Sequence, residues 1–113
     1  MQMDSALQRV IERRAALTEM SAPLAQRLDG IKEASAWTSH DDEHDPEGVT
    51  IAFERAQVAG LLEMIHSELR DLDAAETRIH AGTYGKCERC GKPIGAERLE
   101  GLPATRTCIR CAD

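Results

Sequence analysis

Large aromatic rings are almost absent from this chain of 113 residues: Trp37, Phe53 and Tyr84 are its whole complement. A compact core of that size normally draws much of its buried area from such rings, so a conventional globular interior is not expected. Cysteine is missing from the first 86 positions. No stretch approaches the roughly 20 apolar residues of a membrane span, and no early apolar run resembles a secretory signal. Positive charge is scarce as well: residues 1–81 hold 16 acidic and 8 basic side chains. Nucleic acid backbones and anionic membranes are both bound through cations, so this acidic body argues against either as a non-specific partner. The expectation is a soluble cytoplasmic protein whose partner is another protein with basic surface. In that compartment thiols stay reduced, and paired cysteines are more often metal ligands than disulfides.

What the chain does have is Ala, Leu, Glu and Arg, the usage of long helices. From Leu7, alternating steps of three and four residues read Leu7, Val10, Arg14, Leu17, Ser21, Leu24, Leu28, Ile31 and Ser35. A second register reads Ile51, Arg55, Val58, Leu62, Ile65, Leu69, Leu72, Glu76 and Ile79. Both are heptad-type seams. Pro23 interrupts the first and predicts a kink, or a helix restarted at Ser21. Between the arms, Asp45-Pro46 reads as an N-cap followed by a first helical proline, and Gly82 as the stop after Ala81. The fold class that follows is mainly α: an antiparallel coiled-coil hairpin over residues 1–81, with its tip near 38–47, and a small module over residues 82–113. Arms of this length would reach on the order of 50 Å at 1.5 Å per residue. Arg14, Arg55 and Glu76 occupy seam positions, where they could select register or snorkel outward.

The module carries the chemistry. Cys87-x2-Cys90 and Cys108-x2-Cys111, with 17 residues between, have the spacing of a four-thiolate zinc site. Gly91 allows the left-handed backbone of a tight knuckle. Four protein thiolates fill a tetrahedron and leave no place for water, so one structural Zn2+ is expected rather than a catalytic one. A disulfide pair, an iron–sulfur cluster and a redox pair are the alternatives. Ile94, Leu99, Leu102 and Ile109 are the candidate core of the module, too few to hold it without metal.

GTYGKCERCGKPIGAERLEGLPATRTCIRC, residues 82–111, resembles the zinc finger of the DksA/TraR family of bacterial transcription regulators. The resemblance lies in the Gly-Thr-Tyr-Gly approach, Cys-x2-Cys-Gly, Pro-Ile-Gly, Glu-Arg-Leu and Cys-Ile-x-Cys. It implies a non-enzymatic protein that binds RNA polymerase rather than a DNA sequence. It also implies a coiled coil that enters the secondary channel and modulates initiation, with the zinc module near the channel rim. On that reading the partner-binding tip comprises Asp41, Asp42, Glu43, His44, Asp45 and Glu47. Their plainer roles are a solvated turn whose acids cap the next helix, or a second metal site. Trp37, at the end of the first arm, is either a partner anchor or folded onto its own helix.

The tip departs from the family's Asp-x-x-Asp-x-Ala. Starting at Asp45 puts Gly48 and Thr50 at the second Asp and the Ala; starting at Asp42 keeps Asp45 but puts Glu47 at the Ala. The chain ends two residues after Cys111, where longer members continue into a helix that contributes to a guanosine tetraphosphate site, so that nucleotide is a doubtful ligand. Two other functions compete: a zinc-dependent nucleic-acid binder using the basic module, and a coiled-coil adaptor unrelated to transcription.

Overall fold

The computed structural model describes the backbone of residues 2–36 and 46–112, and the side chains of 4–33 and 48–112. Three helices follow in order: α1 Gln2–Ala36, α2 Pro46–Ala81 and the short α3 Ala96–Gly101. Among the described residues there is no strand, and one isolated antiparallel bridge joins Lys86 to Pro93. No described helix is long and apolar enough to cross a membrane. Trp37 and the tip residues Asp41, Asp42, Glu43, His44 and Asp45 lie outside the described residues, as does the side chain of Glu47.

Packing divides the chain into two units, residues 17–66 and residues 1–16 with 67–113. In the first, Leu17 of α1 and Val58, Leu62 and Ile65 of α2 are buried. Leu24, Leu28, Ile31 and Ile51 are half-buried along the same stripes. Arg27, late in α1, donates from Nε to Oε1 of Glu54, early in α2, at 3.0 Å, as antiparallel helices require. One heptad away, the equivalent positions hold Met20 and Leu61, both about half exposed. That flank therefore carries charged residues at one level and apolar residues at the next.

In the second unit the core is Ala6, Val10, Leu72, Ala75 and Ile79 from the helices, joined by Cys87 and Ile94 from the module. Arg13 donates from Nη2 to Glu68 Oε1 at 2.9 Å. Arg14 reaches Glu76 at 2.7 Å and Asp73 at 3.0 Å. Two charged residues on the seam thus answer one another, and their stems remain half-buried while the charges pair.

Three details differ from the expectation. Arg55 is exposed, and Glu54 takes the half-buried position beside it. Ala75 is fully buried in the turn where the heptad register places Glu76 on the seam. A small side chain lets the backbones approach there while Glu76 turns to Arg14. Pro23 neither stops nor restarts α1, which runs unbroken through it. The proline sits on the exposed face, so the carbonyl that loses its N–H partner, four residues earlier, can bond to water instead.

The expected stop of α2 is realised in full. Gly82 has φ 78, Thr83 N–H donates to Arg78 O at 2.9 Å and Gly82 N–H to Ile79 O at 3.2 Å. This pair of bonds is the Schellman cap, which satisfies carbonyls the helix end leaves open.

Leu72→Ala should lower unfolding free energy by about 2–5 kcal/mol, against about 0.5 kcal/mol or less for the exposed Arg55→Ala, as read by denaturant unfolding of the zinc-loaded protein. Acid sensitivity follows from the ion pairs. Hydrogen bonding to Arg13 holds Glu68 below the usual carboxylate range, and Arg14 does the same for Glu76. A folded value below the unfolded one, about 4.3, stabilises above that pH and is lost as pH falls through the folded value. Replacing both glutamates by glutamine should therefore flatten the acid limb of a stability-versus-pH curve and leave its neutral plateau only slightly lowered.

Candidate metal centre

The module is built by backbone bonds that bring two cysteine turns together. Ile94 N–H donates to Gly85 O at 2.7 Å and Cys87 N–H to Lys92 O at 2.9 Å, which folds the first turn back on its own approach. Gly91 N–H closes that turn on Cys87 O at 2.9 Å, and Gly91 sits at φ 73, a left-handed conformation that favours glycine. In the second turn, Cys111 and Ala112 N–H both donate to Cys108 O at 3.0 Å. Three bonds tie the halves together: Glu88 N–H to Arg106 O at 2.9 Å, Arg98 Nε to Thr107 O at 2.9 Å, and Arg89 Nη1 to Cys111 O at 3.3 Å.

These bonds bring the sulfurs of Cys87, Cys90, Cys108 and Cys111 within 4.8 Å of one another. Cys90 Sγ and Cys108 Sγ are 3.7 Å apart. A tetrahedral ion with Zn–S bonds of about 2.3 Å requires sulfur separations of about 3.8 Å, so the donor set fits one zinc. Cys87 is buried at 2% exposure, while Cys90 faces solvent.

The electrostatics of the protein atoms point the same way. The Cys90 backbone N–H, followed by that of Cys108, holds the Cys87 thiol down to about 6. The sulfur of Cys108, followed by that of Cys87, pushes Cys111 up to about 12. Four sulfurs this close cannot all be thiolates on their own; a dication makes that possible. The resulting site carries a formal −2. The module also carries the cations Lys86, Arg89, Lys92, Arg98, Arg106 and Arg110.

The sequence-based core of the module is half right. Ile94 is buried and Leu99 half-buried, but Leu102 and Ile109 are 53% and 78% exposed. Pro103 is buried in their place and accepts the Tyr84 hydroxyl at 2.9 Å. A lone tyrosine in an aromatic-poor chain needs a partner for its hydroxyl, and that was the available signal for this contact. Arg106 Nη2 lies 3.6 Å from Asp71 of α2, a link between module and helix that spacing alone does not reveal.

Residues 82–113 match the prokaryotic dksA/traR C4-type zinc finger. This stretch is a zinc finger of the DksA/TraR type. Its fold is similar to that of the transcription factor DksA2 from Pseudomonas aeruginosa, with TM-score 0.79 and 24% identity, over 96% of this chain and 78% of that one. It is 51% identical over 45 residues to an uncharacterized protein of Aquifex aeolicus, covering 40% of this chain and 31% of that protein. It is 38% identical over 42 residues to the RNA polymerase-binding transcription factor DksA of Caulobacter vibrioides, covering 37% of this chain and 30% of that one. The matched stretches thus span about a third of these curated relatives. A C4 finger of this family holds one structural zinc, which agrees with the sulfur geometry.

Purified protein should contain one zinc per chain by elemental analysis. Chelation, or Cys108→Ser, should remove amide-exchange protection across residues 84–112; protection that survives metal loss would contradict a structural zinc. Zinc retention should fall as pH falls, because protons compete for the thiolates.

Proposed function

We propose that this protein is a non-enzymatic regulator of transcription that binds RNA polymerase in the cytoplasm. The hairpin of residues 1–81 acts as a probe. Its acidic tip, Asp41, Asp42, Glu43, His44, Asp45 and Glu47, enters the secondary channel and modulates initiation. The module of residues 82–113 is the base that seats at the rim, with Cys87, Cys90, Cys108 and Cys111 each giving one thiolate to the zinc.

The observation that carries this reading is the pairing of a DksA/TraR finger with a DksA2-like fold over nearly the whole chain. Its Caulobacter relative is named for binding RNA polymerase. Physical chemistry supports it from two sides. Helices of 35 and 36 residues on one module suit insertion into a deep channel. A body with twice as many acids as bases suits a basic channel wall and a site that holds divalent cations. A zinc saturated by four thiolates offers no open position for substrate, which favours a binding role over catalysis.

Immobilised core RNA polymerase should capture the zinc-loaded protein. Asp42→Ala combined with Asp45→Ala should weaken capture at least tenfold while helicity and zinc content stay unchanged. Duplex DNA binding with a steep salt dependence, together with no capture by polymerase, would contradict the proposal.

A further inference from the structure

The two apolar side chains that the module leaves outside its core share one surface feature. Leu102 follows α3 and Ile109 lies within the second cysteine turn, yet both line a single groove of about 830 Å3. Lys92, Arg98 and Arg110 line it too, against the single carboxylate of Glu97. Arg98 is held along the wall by its bond to Thr107 O. Among the described residues neither Lys92 nor Arg110 has a carboxylate partner.

Two properties distinguish this groove from scattered surface hydrophobics. Ile109 and Arg110 are the two residues between Cys108 and Cys111. The backbone bonds of that turn, and the zinc held by its sulfurs, fix where both side chains start. An anchor held this way loses little freedom on binding, which is the condition for useful affinity from a small contact. The charge around the groove is also opposite to that of the helical body, where acids outnumber bases two to one. An apolar floor with a cationic rim is complementary to an acidic protein segment bearing an apolar side chain. It is less suited to nucleic acid, since no aromatic ring lines it for base stacking.

We propose that this groove is the surface by which the zinc module seats on RNA polymerase, docking an acidic segment that bears an apolar side chain. This rests on the polymerase reading above and names the residues through which the module, apart from the coiled-coil tip, makes its contact.

The test measures binding of core RNA polymerase across a salt series. It compares the wild type, a Leu102→Ser/Ile109→Ser variant and a Lys92→Glu/Arg110→Glu variant, each first shown to hold one zinc per chain. Both substituted sites are exposed, so the fold should persist. Each variant is expected to bind at least tenfold more weakly, and the charge-reversed one should lose much of its salt dependence. A photo-crosslinking residue at position 109 should label a polymerase peptide rich in Asp and Glu. Wild-type affinity in both variants would overturn the groove proposal and leave the polymerase reading standing. No binding by the wild type would overturn both. Duplex DNA binding that disappears on charge reversal, with polymerase binding unaffected, would reassign the groove to nucleic acid.

Discussion

Four sulfurs within 4.8 Å of one another can all be thiolates only around a cation, and the module's order depends on that condition. Apart from the metal, the module has little to hold it: Cys87 and Ile94 are its buried apolar residues, with Pro103 beside them. Such a core is too small to offset the conformational entropy of some 30 residues. The backbone bonds between the two cysteine turns act together with the zinc. Glu88 to Arg106 and Arg98 to Thr107 set the distance between the sulfur pairs, and the metal in turn keeps those bonds from fraying.

The helices meet a related shortage differently. One seam between two helices buries few side chains, so charged residues are recruited to it. Arg14 lies on the seam and pairs with Glu76 and Asp73, and Ala75 makes room in the same turn. Pairs of this kind, about one-third exposed, contribute little to stability compared with a buried leucine. Their larger effect is on register, since a shifted α2 would leave Arg14 against apolar neighbours. Arg106 against Asp71 extends the same device to the module. For a protein proposed to place a distant tip, fixed register matters more than depth of core.

The sequence revealed this architecture unevenly, for physical reasons. Periodicity gave α1 almost completely: the half-buried and buried positions from Leu7 to Ile31 are the heptad positions, with Ala6 and Arg9 added. On α2 the pattern erred where two adjacent residues competed, because Glu54 and Ala75 go inward for reasons that lie on the other helix. The limits of α2 were local and therefore legible, as its start at Pro46 and its stop at Gly82 show. The cysteine quartet was legible because spacing alone constrains four ligands. The disposition of Leu102 and Ile109 was not, since hydrophobicity does not tell a core residue from an anchor in a module this small.

The most direct test of the account is a site-specific photo-crosslinker at position 42 of the zinc-loaded protein, bound to core RNA polymerase, with crosslinked peptides mapped by mass spectrometry. Crosslinks to residues that line the nucleotide-entry channel near the active site are the predicted result. Crosslinks confined to the outer surface of polymerase, or none at a concentration that saturates binding, would contradict it.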